Sequence, residues 1–129
     1  IGLGIPAEPL FRSSILPGGS RGVNNLLKSS EVDRLVKEFN SLNKWVCAIC
    51  AAPMVLAKSG LLHNKRYTCY PGCNEGLDGV YIGEEVVVSD NIVTARSMLY
   101  SIPFGLTIIE LLLGKDTRDR IYKQIAGLK

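Results

Sequence analysis

The chain has 129 residues, 47% of them hydrophobic and 21% charged, with a net charge of +3. This length suits one domain with a real core rather than two, and the composition is that of an ordinary globular protein. Basic residues are scattered among acids, as in Arg118-Asp119-Arg120, which argues against a nucleic-acid partner or a charged interaction tail. No apolar run nears the roughly 18 to 20 residues that span a bilayer, so no membrane partner is expected.

Residues 1–12 carry Gly and Pro without periodicity and read as an irregular leader, with a single domain over 13–129. The leader has neither the basic start nor the continuous apolar run of a secretory signal. Ser13–Leu16 is a short apolar strand that runs into Pro17-Gly18-Gly19, a chain reversal. Asn24–Lys28 can form one helical turn. Ser30 then opens a firmer helix with Asp33 three residues on, a variant of the capping box. Val32, Leu35, Val36, Phe39 and Leu42 follow at helical spacing and form its buried stripe.

Trp45–Ile49 is almost wholly apolar, the signature of a strand covered on both faces in a parallel sheet. Ala52–Ser59 is a helix, with Pro53 tolerated in its first turn and Gly60 as its stop. Arg66–Tyr70 is a further strand, ended by Pro71-Gly72. Glu84–Ser89 and Asn91–Ala95 flank a turn and read as a hairpin. Ser101 caps a helix through Leu113 that is apolar on nearly all sides, which places it deep against the sheet. Asp116 caps a last helix with Ile121 and Ile125 facing inward. Strands alternating with helices predict an α/β layered fold with a mostly parallel sheet.

The chemistry centres on Trp45–Pro53, WVCAICAAP. Cys47 and Cys50, followed by Cys69 and Cys73, superficially match zinc-ribbon spacing. Zinc knuckles sit on tight turns, however, whereas Cys47 lies inside an apolar strand and a helix separates the two pairs. A dithiol pair is also disfavoured, since residues three apart on a strand point to opposite faces. Two readings remain open on spacing alone. Ala48-x-Cys50-x-Ala52 puts small residues two before and two after a nucleophile between a strand and a helix, as a nucleophile elbow requires. Its position at a helix start and a strand's carboxyl end would favour negative charge and ligand access. Alternatively Cys50 is a small buried hydrophobe.

LPGGSRGVNNLLKSSEV, VCAICAAPMVLAKSGLLHNKRYTCYPG, NIVTAR and FGLTIIELLLGK together resemble the ThiJ/PfpI superfamily, in the branch of the parkinsonism-linked "DJ-one" protein and its bacterial relatives. The resemblance runs in order over about residues 13–127. It implies a flavodoxin-like three-layer sandwich in which Cys50 is a reactive, easily oxidised elbow thiol. The Gly18-Gly19 pair lies at the pocket, and the backbone N–H groups of Gly19 and Ala51 form an oxyanion hole.

The chain also departs from the family pattern. Ala51 stands where the protease-like branch has a histidine, which removes the base of peptidase chemistry. Tyr70 stands where a histidine often precedes the proline, and it is no base near neutral pH. Arg96, ahead of Ser97-Met98-Leu99 rather than a glycine-rich run, reads either as a partner for a carboxylate at the site or as a surface arginine at the end of a strand.

Family members carry a β-α-β-β region before LPGG that supplies a glutamate to the cysteine and much of a dimer interface. The chain therefore reads as the N-terminally truncated, C-terminal two-thirds of the domain, and Glu8 is not assigned the glutamate's role. The uncovered sheet edge implies self-association or another partner chain. His63 reads as a solvated turn residue, and Cys47 as core. Cys69 and Cys73 read as structural, with secondary oxidation as the alternative. Gly18–Gly22 lacks the Lys-Ser/Thr of a phosphate loop, so no nucleotide cofactor is expected, and no metal.

The resemblance implies a cofactor-independent enzyme of glyoxalase or deglycase type, acting on small reactive aldehydes or glycated proteins. A redox sensor or chaperone-like stress protein using oxidation of Cys50 is the alternative. An amidotransferase-like hydrolase is set aside because no histidine follows His63. A chain rich enough in core to dispense with disulfides fits the cytoplasm.

Overall fold

A computed structural model describes residues 11–129 of the chain. Among these residues four strands form the main sheet: β1 (Ser13–Leu16), β2 (Trp45–Ile49), β5 (Val86–Ser89) and β6 (Ile92–Ala95), in the order β1-β2-β6-β5. β1, β2 and β6 run parallel, and β5 is antiparallel to β6 across the Asp90-Asn91 turn. The α/β, flavodoxin-like arrangement with a mostly parallel sheet follows from β2. Its alternate residues serve two faces: Val46 and Ala48 enter one core, Trp45, Cys47 and Ile49 the other.

The first core is closed by α1 (Ser20–Lys28), α2 (Ser30–Ser41) and α3 (Pro53–Lys58), through Val23, Val36, Phe39, Val55 and Leu56. The second is closed by α4 (Ser101–Leu113) through Phe104 and Ile108, and α5 (Lys115–Ile125) packs on α4. Helix-sheet-helix is thus the layer order.

Several elements differ from the sequence reading. α1 is a full nine-residue helix rather than one turn. Its first turn starts from Gly19 with no side-chain cap, so no capping signal announces it. Ser29, not Ser30, caps α2, its hydroxyl accepting from the Val32 N–H at 3.2 Å. The strand expected over Arg66–Tyr70 is only Arg66–Tyr67 (β3), paired in parallel with an unforeseen β4 (Val80–Tyr81). It stops there because the next donors leave the ladder. Thr68 N–H donates to the Thr94 hydroxyl and Tyr70 N–H to the Cys50 carbonyl.

The depth expected of α4 is not realised. Phe104 and Ile108 are buried, but Ile102 and Leu113 are more than half exposed, because only one stripe meets the sheet. α5 begins from Gly114 without a side-chain cap from Asp116, and Ile125 is exposed. Residues 1–10, including Glu8 and most of the expected leader, lie outside the described residues.

Candidate active site around Cys50

Cys50 follows the last residue of β2 and has φ +66°, a left-handed backbone conformation uncommon for a residue with a side chain. Two hydrogen bonds hold its peptide groups in that turn. The Cys50 N–H donates to the Ala95 carbonyl at the end of β6 (2.9 Å), and the Cys50 carbonyl accepts from the Tyr70 N–H (2.8 Å). The neighbours have to be small. Ala48 and Ala52 are fully buried, and Ala51 nearly so. Pro53 then starts α3, where its missing N–H costs no helical bond.

The reversal after β1 closes over this turn. A Cβ on Gly18 would stand 2.7 Å from the Cys50 Cβ and 3.0 Å from the Ile49 carbonyl oxygen, so only glycine lets the two backbones approach. Gly19 has φ +92° and forms the N-cap of α1. Among the described residues, the N–H groups of Gly19 and Ala51 donate to no other backbone carbonyl. Both line the same cavity as Cys50.

Cys50 and Gly19 are shared by two cavities. The larger, about 460 Å³, is also lined by Ser20, Val23, Asn24, Ala51, Met54, Tyr70 and Cys73. The second, about 400 Å³, adds Pro17, Gly18, Ile49, Met98 and Ser101. Among the described residues, neither is lined by a carboxylate or an imidazole. Of the residues singled out in the sequence, Gly18, Gly19, Cys50, Ala51 and Tyr70 therefore meet at one place.

Arg96 does not join them. Its guanidinium donates to the Gly83 carbonyl (2.8 Å) and the Tyr100 hydroxyl (2.6 Å), and it lines a separate cavity with Glu84 and Glu85. His63 is also elsewhere, its Nδ1 2.8 Å from the Asp78 carboxylate on the exposed surface.

The remaining cysteines sort by face. Cys47 is buried in the α4 core, and burial pushes its thiol up to about 12. Cys69 is buried in the opposite core, and its thiol is also pushed up to about 12, by burial first and then by Cys73 and Cys50. Zinc-ribbon spacing is therefore not matched by convergence, since the sheet divides Cys47 from Cys69. Cys73 is half-buried in the larger cavity, and burial, then the neighbouring Cys50, raises its thiol.

Ser20 and Asn24 were not anticipated as lining residues. Their i, i+4 spacing with Val23 marks one helix face, but that signal exists only once α1 is read as starting at Ser20.

Comparison with known proteins places this geometry. The DJ-1/PfpI family model matches residues 10–111. The chain is 32% identical over 117 residues to the glutathione-independent glyoxalase DJ-1 of Schizosaccharomyces pombe, covering 88% of this chain and 61% of that protein. It superimposes on the crystal structure of Drosophila melanogaster DJ-1beta with a TM-score of 0.88 at 35% identity, over 93% of this chain and 66% of that one. An oxidized Toxoplasma gondii DJ-1 gives a TM-score of 0.81 at 29% identity, over 92% and 65%. The chain thus spans about three-fifths to two-thirds of the length of these relatives. A matched family model over most of the chain, around a strained cysteine between two small-residue turns, means that the chain belongs to the DJ-1/PfpI family.

Proposed function

We propose that the protein is a Cys50-dependent enzyme acting on reactive 2-oxoaldehydes, or on the early adducts they form with proteins. The observation that carries this reading is the left-handed turn at Cys50, which presents the thiol to two cavities beside the unspent N–H groups of Gly19 and Ala51. The similarity to a glyoxalase from Schizosaccharomyces pombe supports the substrate class.

The Cys50 sulfur adds to the aldehyde carbon, and the carbonyl oxygen becomes an oxyanion held by the two N–H groups. A proton then leaves the former aldehyde carbon and one is returned to the adjacent carbon, leaving a thioester of a 2-hydroxy acid. Water cleaves that thioester to release the acid and the free thiol. Tyr70 can hydrogen-bond the substrate from the cavity wall, but the proton transfer calls for an acid–base group. Such help is commonly worth about 10²- to 10⁴-fold. The 129-residue chain therefore turns over slowly by that margin unless a carboxylate reaches the cavity.

A second reading is a redox sensor or chaperone-like protein in which Cys50 is oxidised. It is favoured by the lack of a carboxylate or imidazole lining among the described residues. The four free cysteines suit a reducing, cytoplasmic setting. The partner we assign to the exposed edge at β1 is a second copy of the chain.

Methylglyoxal turnover by the protein and by Cys50→Ser, with intact mass after mild peroxide, separates the readings. Turnover lost in the variant supports the enzyme. No turnover, with oxygen gained only when Cys50 is present, supports the sensor. If Cys50 reacts with iodoacetamide no faster than Cys47, both are wrong.

A further inference from the structure

Two thiols open onto the larger cavity, and the proposed function uses only one of them. Cys73 lines it together with Cys50, Ala51, Met54 and Tyr70. Its placement follows from backbone geometry. Tyr70-Pro71-Gly72-Cys73 is a turn closed by the Cys73 N–H donating to the Tyr70 carbonyl at 2.9 Å, with Gly72 at φ +93°. Pro at the second position and a positive φ at the third make it a type II turn, whose ends lie within 7 Å of each other. That turn is fastened to the elbow, because the Tyr70 N–H donates to the Cys50 carbonyl at 2.8 Å. Two consecutive hydrogen bonds therefore lead from Cys50 to Cys73.

We propose that Cys73 is the resolving thiol for Cys50: once a peroxide oxidises Cys50, Cys73 closes a Cys50–Cys73 disulfide across the cavity. This rests on the reading of Cys50 as the reactive thiol. The other two cysteines do not compete. Cys47 faces the core on the far side of the sheet, and Cys69 is fully buried among apolar side chains. Cys73 alone is both partly accessible and carried on a segment without helix or strand, with Gly72 and Gly76 at positive φ on either side of Asn74 and Glu75. Such a turn can supply the adjustment that disulfide geometry demands.

The steps balance with hydrogen peroxide or an organic hydroperoxide as oxidant. The Cys50 thiolate attacks one peroxide oxygen, the O–O bond breaks, and the leaving oxygen takes up a proton as water or an alcohol. Cys50 is then a sulfenic acid. The Cys73 sulfur attacks the Cys50 sulfur and the S–O bond breaks. The hydroxide leaves as water with the proton that Cys73 gives up. Two thiols are oxidised by two electrons and one peroxide is reduced. Burial, then the adjacent Cys50, raises the Cys73 thiol. The disulfide spares Cys50 from irreversible oxidation, and a dithiol reductant restores it.

The test is non-reducing mass analysis after a few equivalents of hydrogen peroxide and quenching with iodoacetamide. The expected product has lost two hydrogens, is reversed by dithiothreitol, and joins tryptic peptides 45–58 and 67–96. Because each peptide holds two cysteines, variants assign the bond. Cys73→Ser and Cys73→Ala should abolish it and let Cys50 accumulate two or three oxygens, while Cys47→Ser and Cys69→Ser should retain it. An unchanged urea midpoint and far-UV circular dichroism spectrum for Cys73→Ser show that the chain is still folded. A cross-link that survives in Cys73→Ser overturns the proposal, as does over-oxidation of Cys50 at equal rates in wild type and Cys73→Ser. A Cys50 that gains no oxygen and forms no cross-link in either protein overturns the reactive-thiol reading, and the pair with it.

Discussion

Gly18 and Cys50, 32 positions apart in the chain, approach until a methyl group on the first would stand 2.7 Å from the Cβ of the second. Neither obstructing atom is the mobile end of a long side chain: one is the Cys50 Cβ, the other the Ile49 carbonyl oxygen at 3.0 Å. Gly18→Ala must therefore push the two turns apart. Overpacking of this kind costs about 1–3 kcal/mol. The expected outcome is a lower urea midpoint together with a changed rate of Cys50 alkylation. A variant with wild-type stability and rate would show that the contact is loose.

The two fully buried thiols make a distinct forecast. Burial pushes Cys47 and Cys69 up to about 12 from an ordinary value of 9.0. A raised value in the folded state means that the folded chain holds its protons longer than the unfolded chain. Stability from this source is complete below about pH 9 and is lost as pH rises toward 12. Each thiol contributes at most about 1.4 kcal/mol per pH unit in that window. Urea midpoints measured from pH 8 to 11 should fall, and less steeply in Cys47→Ala. Below pH 9, iodoacetamide should label Cys50 and Cys73 in the native protein, and Cys47 and Cys69 only after unfolding.

Asp33 gives the opposite limb. Hydrogen bonds from Lys37 (2.8 Å) and from the Ser59 hydroxyl (2.7 Å) hold its carboxyl below the usual range, the Lys37 bond contributing most. A lowered value in the folded state gives stability that is present above the ordinary carboxylate range and disappears as pH falls through the folded value. The Ser59 bond also ties α2 to the C-cap of α3. Thermal unfolding between pH 5 and pH 2 should show a steeper decline for wild type than for Asp33→Asn.

β1 is an edge strand, and Ile15 on it is half exposed. Among the described residues nothing pairs with that edge, and an edge bearing an apolar side chain favours pairing with another chain. At micromolar concentration the 129-residue chain is expected to sediment faster than a monomer, and Ile15→Lys to shift it toward one. A monodisperse wild-type monomer would remove the proposed second copy.

What could be read from the sequence was what local chemistry specifies. β2 matches the expected Trp45–Ile49 because a strand covered on both faces must be continuously apolar. The small residues around Cys50 required close packing wherever the rest of the chain lay. The misses share a different cause. β3 and β4 are two residues each, held by partners 14 positions away, and so have no period to detect. Ile102 and Leu113 are as apolar as Phe104 and Ile108, and nothing in α4 itself states which stripe the sheet will cover. Arg96 was a plausible site residue by sequence order, but its guanidinium is directed to Gly83 and Tyr100 by the turn that follows β6.

The two hydrogen bonds at Cys50 also bear on when the thiol acquires its setting. Its N–H partner lies 45 residues later in the chain, at Ala95, and its carbonyl partner 20 residues later, at Tyr70. A nascent or partly collapsed chain that has not yet brought these segments together has an ordinary cysteine at position 50. The left-handed turn is thus a late-assembled feature built from non-local contacts. On the proposed reading of Cys50 as the reactive thiol, oxidants met before assembly is complete would find no preferred sulfur, and selectivity for Cys50 would double as a readout of finished topology.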